Sequence, residues 1–227
     1  MKKIAVDAAR TIFLFPLVEL NPNGMDMNPV IRGVVQRYNF KIFPKHTLDF
    51  AENEKGLIFE GGEFESKRHG RIIAKLKVFD DGLVADTYSS TDDSKDLLED
   101  AMSWLKAEFG LSLPSDRERK ILYLSELTVT TDNDMMGLNP NFARFAALLS
   151  KKLSDVGSSS VNDGFKLSTI GFWPPDPRKS GAPAPFRFEM KAGTVPSDKR
   201  YYSQAPLTTE AHLEVLNEFE KLFSYPQ

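Results

Sequence analysis

Two acids and a lysine stand out in residues 174–191, PPDPRKSGAPAPFRFEMK. Pro175-Asp176 is followed, after twelve intervening residues, by Glu189-Met190-Lys191. Two carboxylates brought together can hold a hard divalent cation such as Mg²⁺, and a metal held that way sets water against a phosphodiester. A lysine beside them would orient or activate that water. On a strand, Glu189 and Lys191 share one face, because side chains alternate with a period of two.

In these few residues the chain resembles the PD-(D/E)xK nuclease superfamily. The resemblance implies Mg²⁺ at Asp176 and Glu189, with Lys191 assisting catalysis. Three features support a plainer reading. Pro174, Pro175, Pro177, Pro183 and Pro185 crowd the segment and interrupt strand hydrogen bonding before Phe186. The helical pattern upstream, at 140–156, offers only Asp155 as a further acid. A second Glu-x-Lys, Glu65-Ser66-Lys67, shows how readily the pair arises. The reading adopted is a proline-rich turn and a strand of alternating charge, with no catalytic residue, metal or cofactor. A Mg²⁺-dependent nuclease is the alternative.

The same region mixes aromatic rings with bases: Trp173, Arg178, Lys179, Arg187, Tyr201 and Tyr202, with Lys191, Lys199 and Arg200 near them. Bases neutralise phosphates and rings stack on unpaired nucleobases, but a proline-rich loop beside aromatics also docks proteins. The whole chain has 29 Lys+Arg against 32 Asp+Glu, a formal charge of −3. A general nucleic-acid binder carries a basic excess, so net charge does not support that partner. We therefore expect a protein partner on Trp173, Arg178, Lys179, Arg187, Tyr201 and Tyr202, with a second copy of the chain (a homodimer) among the candidates. A small-ligand binder using a cleft between two halves is a further alternative.

Other chemistry finds little support. Cysteine is absent, which excludes disulfides, thiolate metal sites and cysteine nucleophiles. The three histidines, His46, His69 and His212, are far apart. Asp132 and Asp134 in TTDNDMMG read as a turn, and the acidic run TDDSKDLLED as helix capping and dipole complementation. Gly-x-Ser-x-Gly, P-loop and Gly-x-Gly-x-x-Gly motifs do not occur. The balance points to binding rather than catalysis. The N-terminal MKKIAVDAARTIFLF begins like a signal peptide, but Asp7 and Arg10 break its apolar run. No segment is long and apolar enough to span a bilayer, so the expected place is the cytoplasm.

The positioning elements follow from periodicity. Residues 4–15 and 119–130 read as long strands, 39–43 as extended, and 57–89 as an antiparallel meander punctuated by KRHG and DDG. FKLSTIGFW and FRFEMKAG are strands flanking the proline-rich turn. Helices are predicted at 29–38 with Asn28 as N-cap, after Ser90–Asp93 and ending at Gly110, at 140–156 after Asn139, and after Thr208 or Thr209. The 140–156 helix presents Phe142, Phe145, Ala146, Leu149, Leu153 and Val156 on one face, and the last helix Leu213, Leu216, Phe219, Leu222 and Phe223. Both NGMDMNPVIRGVVQRY and DMMGLNPNFARFAALL place Met three residues before Asn-Pro, and Asn28 and Asn139 lie 111 positions apart. The sequence thus predicts an α+β fold: antiparallel sheet or sheets with three to four amphipathic helices, divided into 1–112 and 116–227 near 111–118; the shared pattern reads either as two similar β-α-β-β-α halves or as Asn-Pro serving as a common helix opener. If the halves are related, the two long strands meet at the centre.

Overall fold

The computed structural model describes residues 1–45, 56–114, 119–133, 135–155, 164–179 and 181–223. His46, Asp134, the GSSS segment and part of the 111–118 stretch lie outside the described residues. The chain folds as α+β, with one eight-stranded sheet in which every neighbouring pair is antiparallel.

In chain order the elements are β1 (Lys2–Leu14), α1 (Asn28–Tyr38), β2 (Leu57–Ser66), β3 (Gly70–Phe79), β4 (Gly82–Thr87) and α2 (Thr91–Phe109). Then come β5 (Lys120–Thr130), α3 (Pro140–Asp155), β6 (Thr169–Phe172), β7 (Phe186–Met190), β8 (Arg200–Ala205) and α4 (Thr209–Lys221). Across the sheet the order is β2-β3-β4-β1-β5-β8-β7-β6. The long strands β1 and β5 pair at the centre, from Lys2 opposite Thr130 to Leu14 opposite Lys120. Read outward from that seam, the two sides have the same succession of strands.

Alternation decides which face is covered. Ala9, Thr11 and Phe13 of β1 are buried, and they pair with Thr87, Ala85 and Leu83 of β4, which are buried too. On the other side Ser125, Leu127 and Val129 of β5 oppose Ala205, Ser203 and Tyr201 of β8. Leu97, Leu98, Ala101, Met102 and Leu105 of α2, with Val30, Ile31, Val34 and Tyr38 of α1, close one core over the first half. Leu216 of α4 closes a second with Leu127, Val129, Phe188 and Tyr201. The opposite sheet face mixes charged side chains, among them Arg10, Lys75, Lys77 and Asp86, with the apolar Ile12, Val84, Leu122 and Leu124.

Several expectations are corrected. Met27, not Asn28, occupies the N-cap of α1; the capping carboxylate comes from Asp26, whose Oδ1 accepts the Asn28 backbone N–H at 3.0 Å. The 39–43 segment contributes only one bridge, Ile42 to Glu60. FKLSTIGFW pairs over four residues only, and FRFEMKAG over five. Residues 200–205, which carry no strong strand signal, form β8, because Ser203 and Ala205 are small polar or weakly apolar members of the buried set. Leu222 is exposed, while His212 lies wholly buried on α4. Ser90, Asn139 and Thr208 cap their helices: their side-chain oxygens accept the N–H of Asp93, Asn141 and Ala211. Among the described residues, no helix is long and apolar enough to cross a membrane.

Candidate functional site

On the opposite sheet face several of the charges pair with one another. Arg10 and Asp86, opposite one another on β1 and β4, form a two-pronged pair at 2.5 and 3.0 Å, and Lys77 adds a contact to Asp86 at 3.5 Å. Hydrogen bonding to Asp86 outweighs burial and raises the Arg10 pKa further. Lys75 pairs with Glu60, and Arg71 lies 3.8 Å from Glu63. A bulge in β1 frees Asp7, which accepts the Thr128 hydroxyl at 2.5 Å and the Lys191 ammonium at 3.1 Å. A phosphate backbone approaching here would have to displace the protein's own carboxylates.

The three residues of the nuclease-like pattern take separate roles in the fold. The Asp176 carboxylate accepts the Arg178 backbone N–H at 3.2 Å, so it closes an exposed turn. Glu189 stands on β7 between Thr169 and Tyr202. Lys191 turns to Asp7 and Thr128. Among the described residues no three His, Asp or Glu side chains gather in a metal-holding group.

The aromatic and basic residues divide between the two faces. Arg187 sits over the Trp173 ring, 5.9 Å from its centroid, and Trp173 is 64% exposed. Arg178 and Lys179 are exposed beside it. Tyr202 lies half-buried on the face opposite the cores; burial, then Glu126, Glu189 and Asp7, push its phenol pKa up. Tyr201, one residue away on the strand, points the other way. It is buried in the core and stacks on Phe188, with ring centroids 4.8 Å apart. A surface containing Trp173 therefore excludes Tyr201.

The periodicity gives α3 an apolar face, and the structure leaves that face open. No residue of α3 is buried. Phe142, Phe145, Leu148 and Leu149 are exposed, Phe145 by 60%. On α1, the corresponding helix, four residues are buried. A groove of about 200 Å³ runs between α3 and residues 165–169, lined by Phe142, Phe145, Ala146, Leu149, Phe165 and Leu167. Ser150 ties its two walls, accepting the Phe165 N–H at 3.4 Å. Phe172 and Trp173, both exposed, follow on the edge strand β6 and the turn after it. The cations on and beside α3, Arg144, Lys151, Lys152 and Lys166, have no carboxylate partner among the described residues. Seven large apolar side chains within residues 142–173 are exposed.

Two histidines proved structural in ways their sequence context conceals. His69 Nδ1 meets Asp93 at 2.7 Å in the β2–β3 turn, and the Ser66 hydroxyl donates to the same carboxylate at 2.5 Å. Burial would raise the Asp93 pKa, but hydrogen bonds from Ser66, Ser89, Ser90 and His69 together hold it below the usual value. His212 faces Ser203 across α4 and β8 at 2.9 Å, and burial pushes its pKa down to about 4.

No family model matches the chain, and no curated protein matches its sequence. Among solved structures, one described as "Methanococcus jannaschii TBP" is 11% identical, with 98% of this chain and 97% of that chain covered and a TM-score of 0.42. A likeness of that size carries no argument about what this chain binds.

Proposed function

We propose that the chain is a non-enzymatic binding protein that docks an acidic, amphipathic segment of a partner protein on α3 and the strip running from Phe165 to Trp173. The observation that carries this is the open apolar stripe of α3. An amphipathic helix owes most of its stability in a protein to the packing of its apolar face, and here that face awaits a partner. Helix-in-groove recognition reads anchors at i, i+3, i+4 and i+7, and Phe142, Phe145, Ala146 and Leu149 have that spacing.

Charge selects the occupant. Lys166 lines the groove, and Lys152, three residues after Leu149, flanks the apolar stripe; neither has a carboxylate partner among the described residues. An acidic partner gains from both. A second copy packed face to face would oppose these cations to themselves. Trp173 with Arg187 above it extends the surface toward the sheet face opposite the cores.

The test is fluorescence anisotropy with a 20-residue amphipathic peptide carrying Leu at helical spacing and Glu elsewhere, beside a Lys-for-Glu control. Binding of the acidic peptide should weaken with salt, fall at least tenfold in Phe145→Asp and in the Lys152→Glu/Lys166→Glu pair, and be absent for the control. Equal binding by wild type and Phe145→Asp would remove the reading. A doubled mass in light scattering, lost in Phe145→Asp, would assign the face to a second copy instead.

A further inference from the structure

We infer that the core of the first half is a binding site for a medium-chain alkyl group, separate from the α3 surface. A cavity of about 270 Å³ lies between the sheet and helices α1 and α2. Every side chain lining it is apolar, among them Val30, Val34, Leu76, Leu83, Ala101 and Leu105. Protein interiors normally pack to crystal-like density, with few voids larger than a water molecule. Water would find no side-chain hydrogen-bond partner on such walls, and apolar cavities take up apolar molecules. A dry cavity of about 150 Å³ admits benzene, so by proportion this one holds roughly ten carbon atoms.

The two helices are fixed to one another by contacts that lie outside the cavity. Gly33 lets Trp104 and Phe109 sit against α1; a Cβ there would come within 2.9 Å of both rings. One turn further on, the Tyr38 hydroxyl donates to Asp100 at 2.5 Å, and Arg37 pairs with the same carboxylate at 2.9 Å. These bolts fix the C-terminal half of α1 to α2. The cavity opens beside the N-terminal half, at Met27, Val30, Ile31 and Val34. The second core is built differently: Phe186, Phe188, Phe219 and Phe223 pack ring to ring, with successive centroids 5.0 to 5.9 Å apart. The cavity belongs to the first core, whose lining here is almost wholly aliphatic. With no polar atom inside to recognise a head group, the alkyl chain enters and any polar end stays outside.

The experiment is calorimetric titration with the straight-chain alcohols from 1-hexanol to 1-dodecanol. Affinity should rise roughly fourfold per methylene, as full burial of each requires, and level off near ten carbons when the space is filled. Ala101→Leu, which pushes carbon into the void, should raise the melting temperature of the free protein and weaken 1-decanol at least tenfold. Methyl NMR of the wild type supplies a readout that needs no variant. 1-Decanol should move the Val30, Val34 and Leu105 methyls and leave those of Leu127 and Leu216 unmoved. No binding, an affinity that keeps rising beyond ten carbons in both proteins, or shifts spread over both cores would overturn the inference.

Discussion

At the scale of single residues, His212 illustrates how burial converts a titratable group into a sensor of acid. Its neighbour Ser203 lies 3.0 Å from the Arg187 carbonyl, an atom that can only accept, so the hydroxyl proton goes there. His212 Nε2, 2.9 Å from the same hydroxyl oxygen, must then be the donor. Nδ1 remains a bare acceptor, buried and without a hydrogen-bond partner. Protonating it would place an uncompensated cation in the core beside the Phe186 ring. The folded protein therefore holds this imidazole neutral down to about pH 4, against the ordinary 6.5. Between those values the unfolded chain binds a proton that the folded chain refuses, so stability declines as pH falls through that window, by about 3 kcal/mol in all. Urea unfolding at pH 7.5, 6.5, 5.5 and 4.5 should show this slope, and His212→Gln should flatten it. Asp93 contributes in the opposite part of the scale. Its lowered carboxylate pKa adds stability that is present above its ordinary value of 3.8 and lost only as pH falls below that. An unchanged slope in His212→Gln would show that another group is the sensor.

At the scale of elements, the contrast between Phe145 and Phe188 separates function from folding. Phe188 is fully buried on β7 and contacts Tyr201 and Phe219. Truncation to Ala should cost about 3–5 kcal/mol. Phe145, largely exposed on α3, should cost under about 0.5 kcal/mol when truncated, while weakening partner binding. Thermal unfolding of the two variants measures the difference directly; comparable losses would mean that α3 is packed after all. The same pair explains what could be read from the sequence. Period-two alternation in RIIAKLKVF announced β3, although Ile73 and Phe79 interrupt its charged face, and the DDG turn signal marked the start of β4. The 3.6-residue stripe announced α3, but a stripe says only that a face is apolar. Whether the chain itself covers that face depends on long-range geometry. In β8 the buried members include Ser203, chosen to meet His212, and Ala205, so hydrophobicity alternates too weakly to mark a strand. That omission left Tyr201 on the surface by sequence reasoning and put it in the core by structure. The charges of the sheet face opposite the cores were legible one by one, whereas their pairing, Arg10 with Asp86 or Lys191 with Asp7, spans more than seventy residues and could not be.

At the scale of the whole molecule, the two sides of the sheet are joined by more than the β1–β5 seam. Helices α2 and α4 meet by their N-termini. The Thr91 N–H donates to Thr209 Oγ1 at 3.0 Å, and the Thr209 N–H returns a bond to Thr91 Oγ1 at 2.8 Å. The Thr91 carbonyl also accepts the Thr11 hydroxyl, which fixes the junction to β1. Two positive helix ends brought this close repel, and the first-turn acids Asp92, Asp93 and Glu210 offset that repulsion. Far from the junction, the terminal ammonium of Met1 reaches Asn217 and Glu220 of α4. An exchange of this kind couples the two cores into one cooperative unit. Denaturation followed by far-UV circular dichroism and by tryptophan fluorescence should therefore give a single coincident transition. Thr91→Ala orphans the Thr209 N–H, and Thr209→Ala orphans the Thr91 N–H; each should lower stability by about 1–3 kcal/mol. Thr91→Ser keeps the acceptor oxygen and should retain most of that stability. Because the junction belongs to both cores, the alanine variants should shift the midpoint without splitting the transition. Two separated transitions, with Trp104 fluorescence reporting the first half ahead of the second, would show that the halves unfold independently and that the paired threonines merely touch.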